Sequence, residues 1–377
     1  MKYWIGYLVA GIFAAITWAL HQFARTHEIL MDMIYPYMTR LIITTLSGWN
    51  SGSSCLWQTL LVIAVALCIV YIVLMVIFRW NFFRWLGWVL AGISCIVLLN
   101  TGLYELNAYT SPLADDISLT VTDYTVSELN EAAVYFRDKA NALAATVSRD
   151  GKGDVEFGTF EEMAIQAADG FKTMTYDKAI SVFAGSTEPV KKQTLFASKG
   201  DSGITVALTG EAAVNPNVPE ISLPFAMCKE MAHRMCIYSD TDANFAAFLA
   251  ASNNASEDFQ YSAYLMAYYY CYETLASIPT STAKACADQT NSGVNQLLAN
   301  DLEDCKKFYG NVKDTSNKVR ATDEEDPEEE TKLITFSDYS STTDLFASWY
   351  IQEYILPVHQ EEEVPFNPLD PAQVTLS

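Results

Sequence analysis

The hydrophobic pattern divides the chain near residue 106. Before that point three runs carry no charged residue: 3 to about 20, 56–78, and 85 to about 103. Each is long enough to cross a hydrocarbon core of roughly 30 Å at about 1.5 Å per residue. Trp4, Trp18, Trp57, Trp80, Trp85 and Trp88 gather at their ends, where indole rings favour the headgroup region. No small-x-small cleavage site follows the first run, so a retained helix is expected there rather than a cleaved leader. Lys2, Arg79 and Arg84 lie on one side of the runs, while Arg25 and Arg40 are spread over the longer loop on the other. That bias predicts a multi-pass protein of the cell membrane, with its N-terminus cytoplasmic and its C-terminal part extracytoplasmic.

Beyond residue 106 the pattern becomes mainly helical. Thr125 to Glu128 has the form of a capping box opening a helix that runs to 145. Periodic segments at 160–171, 176–183, 222–235, 240–252, 258–278, 286–310 and 342–355 predict further helices. Residues 194–197 and 203–208 read as strands about a turn at 200–203, and Pro216 and Pro219 end any pairing. The expected architecture is a mainly α membrane protein. A three-helix anchor (1–106) precedes a helix-rich α+β domain with a small sheet (107–356), and an extended tail (357–377) closes the chain. Residues 323–330 are acidic apart from Pro327 and predict a solvated loop rather than a metal site.

Charge narrows the partners. Beyond residue 106 there are 42 acidic and 18 basic residues, a formal −24. That argues against nucleic acid and against docking of this part on anionic lipid. The lipid bilayer around the anchor is the expected partner. Cysteine adds little. Cys55, Cys68 and Cys95 lie in or beside the apolar runs, and Cys228, Cys236, Cys271, Cys286 and Cys305 follow them. No CxxC pair exists, and on a straight helix Cys228 and Cys236 would stand about 12 Å apart, too far for a disulfide. Small buried hydrophobes are the expected role.

The candidate chemistry lies in Lys229-Glu230-Met231-Ala232-His233. In a zinc-peptidase helix, His-Glu-x-x-His places two ligands at i and i+4 with a general-base Glu between them. Here the first position is Lys. A lysine binds metal only when neutral, and bringing its pKa from about 10.4 to about 7 costs roughly 4–5 kcal/mol. If charged, it opposes a dication about 4 Å away by roughly 8 kcal/mol at an effective dielectric of about 20. Other histidines are scarce. His21 and His27 sit at the end of the first run, and His359 near the C-terminus has no metal-site character around it.

The order of elements around that helix is informative. It includes Tyr35-Pro36, Ser127-Glu128-Leu129, Thr209-Gly210-Glu211-Ala212, Leu223-Pro224-Phe225, Asp242-Ala243-Asn244-Phe245 and Tyr261-Ser262-Ala263-Tyr264-Leu265-Met266. In this order they resemble a bacterial domain-of-unknown-function family of three-pass membrane proteins, itself similar to membrane gluzincins. The resemblance implies a zincin-like domain. It carries Glu230 over as the catalytic Glu and His233 as the second ligand, with Lys229 at the degenerate first-ligand position. Asp240 and Asp242 fall where the family shows a ligating Glu, and Cys236 falls where a glycine ends the helix. It also implies a substrate groove beside Thr209, Gly210, Glu211 and Asn215, offered by an edge strand.

Two function classes follow. The first is a metallopeptidase-like pseudoenzyme that holds no cofactor and binds or scaffolds peptide or protein segments at the cell surface. Lys229 then pairs with Asp240 or Asp242 in place of the metal. The second is an active zinc endopeptidase with an atypical ligand set of His233, Asp240 or Asp242 and Glu230 as general base. A transporter is disfavoured, because the runs lack internal charges.

Overall fold

A computed structural model describes residues 4–50, 52–172, 174, 181–185, 188–195, 197–310, 318–320 and 339–356. The expected loop at 323–330, the tail at 357–377, His359 and most of the helix expected at 176–183 lie outside the described residues. Among the described residues three helices are long and apolar enough to cross a membrane: α1 (Ile5–Thr26), α4 (Leu56–Phe78) and α5 (Phe82–Leu103). Between α1 and α4 the chain forms two helices that the apolar pattern did not predict, α2 (Glu28–Met33) and α3 (Tyr35–Trp49). α1 and α5 pack closely. Gly6 lies against the Gly87 backbone with no space for a Cβ, and Tyr7 donates to the Phe83 carbonyl at 2.9 Å. Small residues permit this approach where lipid supplies no hydrophobic drive.

After α6 (Leu113–Asp116) the domain begins with β1 (Tyr124–Thr125) and α7 (Val126–Ala144). α7 opens with the predicted capping box, as Thr125 and Glu128 each satisfy the other's backbone N–H. α8 (Phe160–Lys172) and β2 (Lys191–Lys192) follow, then β3 (Gly203–Val206) and β4 (Glu211–Val214). The rest is helical: α9 (Leu223–Arg234), α10 (Asp240–Ser252), α11 (Glu257–Ser277), α12 (Ser281–Ser292), α13 (Gln296–Tyr309) and α14 (Thr342–Tyr350). A short β5 (Val319–Arg320) pairs in parallel with β1. The core lies where α7, α9, α10, α11 and α14 meet, with Phe136, Phe245, Phe248, Phe259, Tyr261 and Phe346 buried. Phe248 meets Phe346 edge-on at 5.2 Å and Trp349 at 5.1 Å, a favourable aromatic geometry.

Two expectations are corrected. Residues 286–310 are not one helix. α12 ends before Gly293, and Asn295 caps α13 by accepting from Leu298 N–H at 2.9 Å. Among the described residues of the strand expected at 194–197 none pairs in a sheet; pairing falls instead at Lys191–Lys192, and Thr194 bonds the Gln58 amide oxygen.

The three-stranded sheet has the order β2-β4-β3, with β4 parallel to β2 and antiparallel to β3. β4 is therefore central, not the edge strand expected for the groove, and the edge beside the candidate site is β3. Glu211, buried on β4, accepts from Leu56 N–H at 2.6 Å and Trp57 N–H at 2.9 Å, the first residues of α4. It also accepts from Lys191 at 2.8 Å and Thr209 at 2.7 Å. α4 has no side-chain cap from its own N-cap residue, Cys55, so a carboxylate from the sheet satisfies its orphan amides and complements its dipole. Gly210, at φ +68°, lies against Ile43 and Ser47 of α3 with no space for a Cβ. Thr209-Gly210-Glu211 thus joins the domain to the anchor.

Burial pushes the Glu211 carboxyl up, but Lys191, Thr209 and the two α4 amides together hold it below its ordinary value. A carboxylate lowered in the folded state stabilises above its unfolded pKa, and that stability is lost as pH falls through the folded one. Glu211→Ala is expected to cost about 3 kcal/mol, as when one partner of a buried ion pair is removed. Thermal unfolding in detergent should also show a weaker loss of stability on acidification. An unchanged melting temperature and pH profile would refute the capping role.

Candidate functional site

α9 supplies the floor of a cleft of about 600 Å³. Pro224 sits in its first turn, where its missing N–H and fixed φ are tolerated. The helix closes with Cys236 N–H on the His233 carbonyl at 2.9 Å and Ile237 N–H on the Ala232 carbonyl at 3.2 Å. This is a Schellman closure, which requires a left-handed residue at Cys236, and Cys236 is at φ +69°. The position where the family resemblance expects glycine does have the backbone that glycine favours.

Lys229 and His233 lie one turn apart on α9 and face the N-terminus of α10. Lys229 Nζ is 2.7 Å from Asp240 Oδ1, and His233 Nε2 is 3.3 Å from the same oxygen. His233 Nδ1 is 2.9 Å from the Ile237 carbonyl, which orients the ring with Nε2 toward Asp240. Tyr104, just past α5, closes the same side at 3.3 Å from Nδ1. The hydrogen bond from His233, with the Lys229 ammonium, holds Asp240 well below the usual carboxylate range. Its side chain is nonetheless 79% exposed.

Glu230 is placed differently. It is 2% exposed and covered by β3, where Gly203 leaves no space for a Cβ above its side chain. Ser202 donates to Glu230 Oε1 at 2.8 Å, and Thr205 donates to the Glu230 backbone carbonyl at 3.0 Å. Burial pushes the carboxyl up against the opposing effects of His233, Lys229 and Ser202. The two carboxylates beside Lys229 are therefore shifted in opposite directions.

Asp242 does not join them. It is buried on the other side of α10, where it accepts from Tyr339 and its N–H is capped by Ser239 at 3.0 Å. Of the groove residues, Thr209, Gly210 and Glu211 serve the anchor junction. Asn215 holds the turn before β3, donating to the Ser198 carbonyl at 2.6 Å and the Asp201 carbonyl at 2.8 Å. Sequence reasoning missed Ser202, Thr205, Tyr104, Asn244 and Tyr270, all of which line the cleft. Ser202 read as a turn residue and Tyr104 as the end of an apolar run, and neither carries a local signal of the cleft. Cys228, Cys236, Cys271 and Cys305 are buried.

Structural zinc takes four ligands, and catalytic zinc three plus water. Among the described residues, no three His, Cys, Asp or Glu side chains converge to hold a metal ion. His233 and Asp240 give two donors, and Lys229 presents its ammonium to the same carboxylate oxygen, so this set does not fit zinc.

A family model described as "Protein of unknown function (DUF3810)" matches residues 31–322. The chain belongs to the DUF3810 family. The match runs from α2 through the anchor, the sheet, the cleft and α13, and it bears out the sequence resemblance at the level of a family of unknown function. Neither a curated protein nor a solved structure matches the chain.

Two substitutions separate the roles in this DUF3810 cleft. Because Asp240 is exposed, Lys229→Ala is expected to cost about 1 kcal/mol or less, as for surface pairs, and a loss above about 3 kcal/mol would show a buried charge left unpaired. Glu230 has a raised folded pKa, so its contribution to stability is lost as pH rises through that value. Glu230→Gln, neutral and isosteric, is expected to raise the melting temperature at pH 8 and leave it unchanged at pH 5. A fall at pH 8 would mean that the charged carboxylate is the stabilising form.

Proposed function

We propose that this protein is a membrane-anchored, zincin-like pseudopeptidase whose cleft binds extended peptide or protein segments without cleaving them. The observation that carries the reading is the single carboxylate oxygen of Asp240 shared by Lys229 at 2.7 Å and His233 at 3.3 Å. A metal would sit between the imidazole and the acid, and there the charge is supplied by an ammonium. Glu230, which the peptidase reaction needs on a metal-bound water, is instead covered by β3.

Binding rests on the sheet edge. Among the described residues β3 pairs only with β4, so its other edge can accept an extended chain as an added strand. A recess of about 310 Å³ beside it, lined by Trp57, Leu61, Gly203, Ile204 and Asn215, would take apolar side chains. The charge bias of Lys2, Arg79 and Arg84 supports a domain outside the cell, where its partners would be peptide or protein segments.

Metal content tests the reading. Protein extracted in detergent without chelator is expected to carry well under a tenth of a zinc per chain, against about one for a working site. Lys229→His is expected to raise that content, because the introduced imidazole, His233 and Asp240 would then supply three donors. About one zinc per wild-type chain would overturn the proposal in favour of a peptidase with an atypical ligand set and Glu230 as base.

A further inference from the structure

We propose that α3, with α2 before it, is an interfacial helix that lies along the bilayer surface and seats the domain on the lipid. A helix packed on a soluble domain normally turns its apolar stripe inward. α3 does the reverse. Thr39, Arg40 and Ser47 are among its buried residues, and each has a partner across the interface with the domain. Arg40 donates to the Met235 carbonyl at 3.0 Å and the Ser181 carbonyl at 3.1 Å. Ser47 accepts from Arg234 at 3.4 Å, and Thr39 meets the Cys236 thiol at 3.4 Å.

The outward stripe follows the spacing i, i+3, i+4, i+7, i+11 and reads Met38, Leu41, Ile42, Thr45, Trp49. Its four large apolar members are exposed, Leu41 at 69% and Trp49 at 83%. The stripe bears no charge, and the Thr45 hydroxyl is turned back onto the Leu41 carbonyl at 2.7 Å. Ile29, Met33 and Ile34 extend the same exposure through α2.

Lipid is the occupant because this face continues a surface that already meets lipid. α2 and α3 connect the end of α1 to the start of α4. The Tyr35 hydroxyl at the start of α3 donates to the Gly102 carbonyl near the end of α5 at 3.0 Å, and Ile43 clusters with Leu103 and Tyr104. The inner face of α3 is thus fixed to the end of one span while its outer face stays apolar, the division expected of a helix at the headgroup boundary. Trp49 stands at its end, where an indole suits that depth. Arg40 also holds the last turn of α9, so the His233 end of the cleft is kept close to the membrane surface. This inference does not depend on what the cleft binds.

Photocrosslinking tests it in the full-length chain. Leu41→p-benzoylphenylalanine and Trp49→p-benzoylphenylalanine are reconstituted in phosphatidylcholine–phosphatidylglycerol vesicles and illuminated, with Val65 in α4 as the lipid-facing control and Lys152 as the aqueous one. Lipid adducts at 41 and 49 are expected at about the level seen at 65 and about tenfold above 152. Crosslinked dimers at 41 and 49 would overturn the proposal in favour of a second copy, and adducts at 65 alone would overturn it outright. A lipid-soluble diazirine applied to the unmodified protein gives the same answer without substitution, through label on the peptide spanning 38–49.

Discussion

The structure depends on a carboxylate that closes a helix in another part of the chain. A membrane-spanning helix begins with amides that have no partner within the helix, and for α4 the first two are taken by Glu211. Lys191 balances that charge from the neighbouring strand, so the group is buried without being isolated. Because Glu211 lies on the central strand, fixing α4 also fixes β4, and the antiparallel pairing then fixes β3 above α9. Gly203 and Gly210 stand at the two close approaches this arrangement needs, one over Glu230 and the other against α3. The membrane anchor, the sheet and the cleft are consequently one mechanical unit.

Within the cleft, charge is arranged in two layers. Glu230 lies beneath β3, where low dielectric favours its neutral form. Asp240 lies at the rim in solvent, and the His233 hydrogen bond with the Lys229 ammonium favours its charged form. Lys229 stands between the layers. An exposed ion pair contributes little to folding, so what Lys229 determines is the sign and shape of the cleft floor rather than the stability of the domain. A dication there would draw ligands inward from both helices. An ammonium, with one charge and a flexible stem, satisfies Asp240 while leaving Glu230 with its hydroxyl partner on the strand.

Much of this was legible in the sequence wherever the cause is local. The three spans follow from length and apolarity, α7 from its capping box, and α10 from its periodic pattern over 240–252. The nearness of Lys229, His233 and Asp240 follows from one helical turn and a short connection. What was not legible comes from distant partners. Glu211 reads as part of a groove because its bonds to Leu56 and Trp57 cross about 155 residues of chain. Ser202 and Thr205 reach Glu230 from just before β3 and from β3 itself. α3 is hidden because Thr39, Arg40 and Ser47 face inward while Met38, Leu41, Ile42 and Trp49 face outward, so the usual rule for placing an amphipathic helix gives the wrong face, and α2 is only six residues long. Gly293 was too weak a signal alone to divide 286–310, and the division depends on Asn295 as a cap.

Cys236 shows how the end of α9 is shaped by the same junction. A non-glycine residue in the left-handed region costs roughly 1–2 kcal/mol, and glycine at this position would remove that strain. The thiol, however, meets Thr39 and packs with Ile43 and Ala207, contacts that glycine cannot make. Burial of those side chains offsets a cost of that size. The departures from the zinc-peptidase pattern therefore fall into two groups with different physical causes. Lys229 and Asp240 set the charge of the cleft, whereas Cys236 secures the far end of the same helix to α3. The charge at the centre of α9 and the anchoring of its end to α3 are thus set by separate residues.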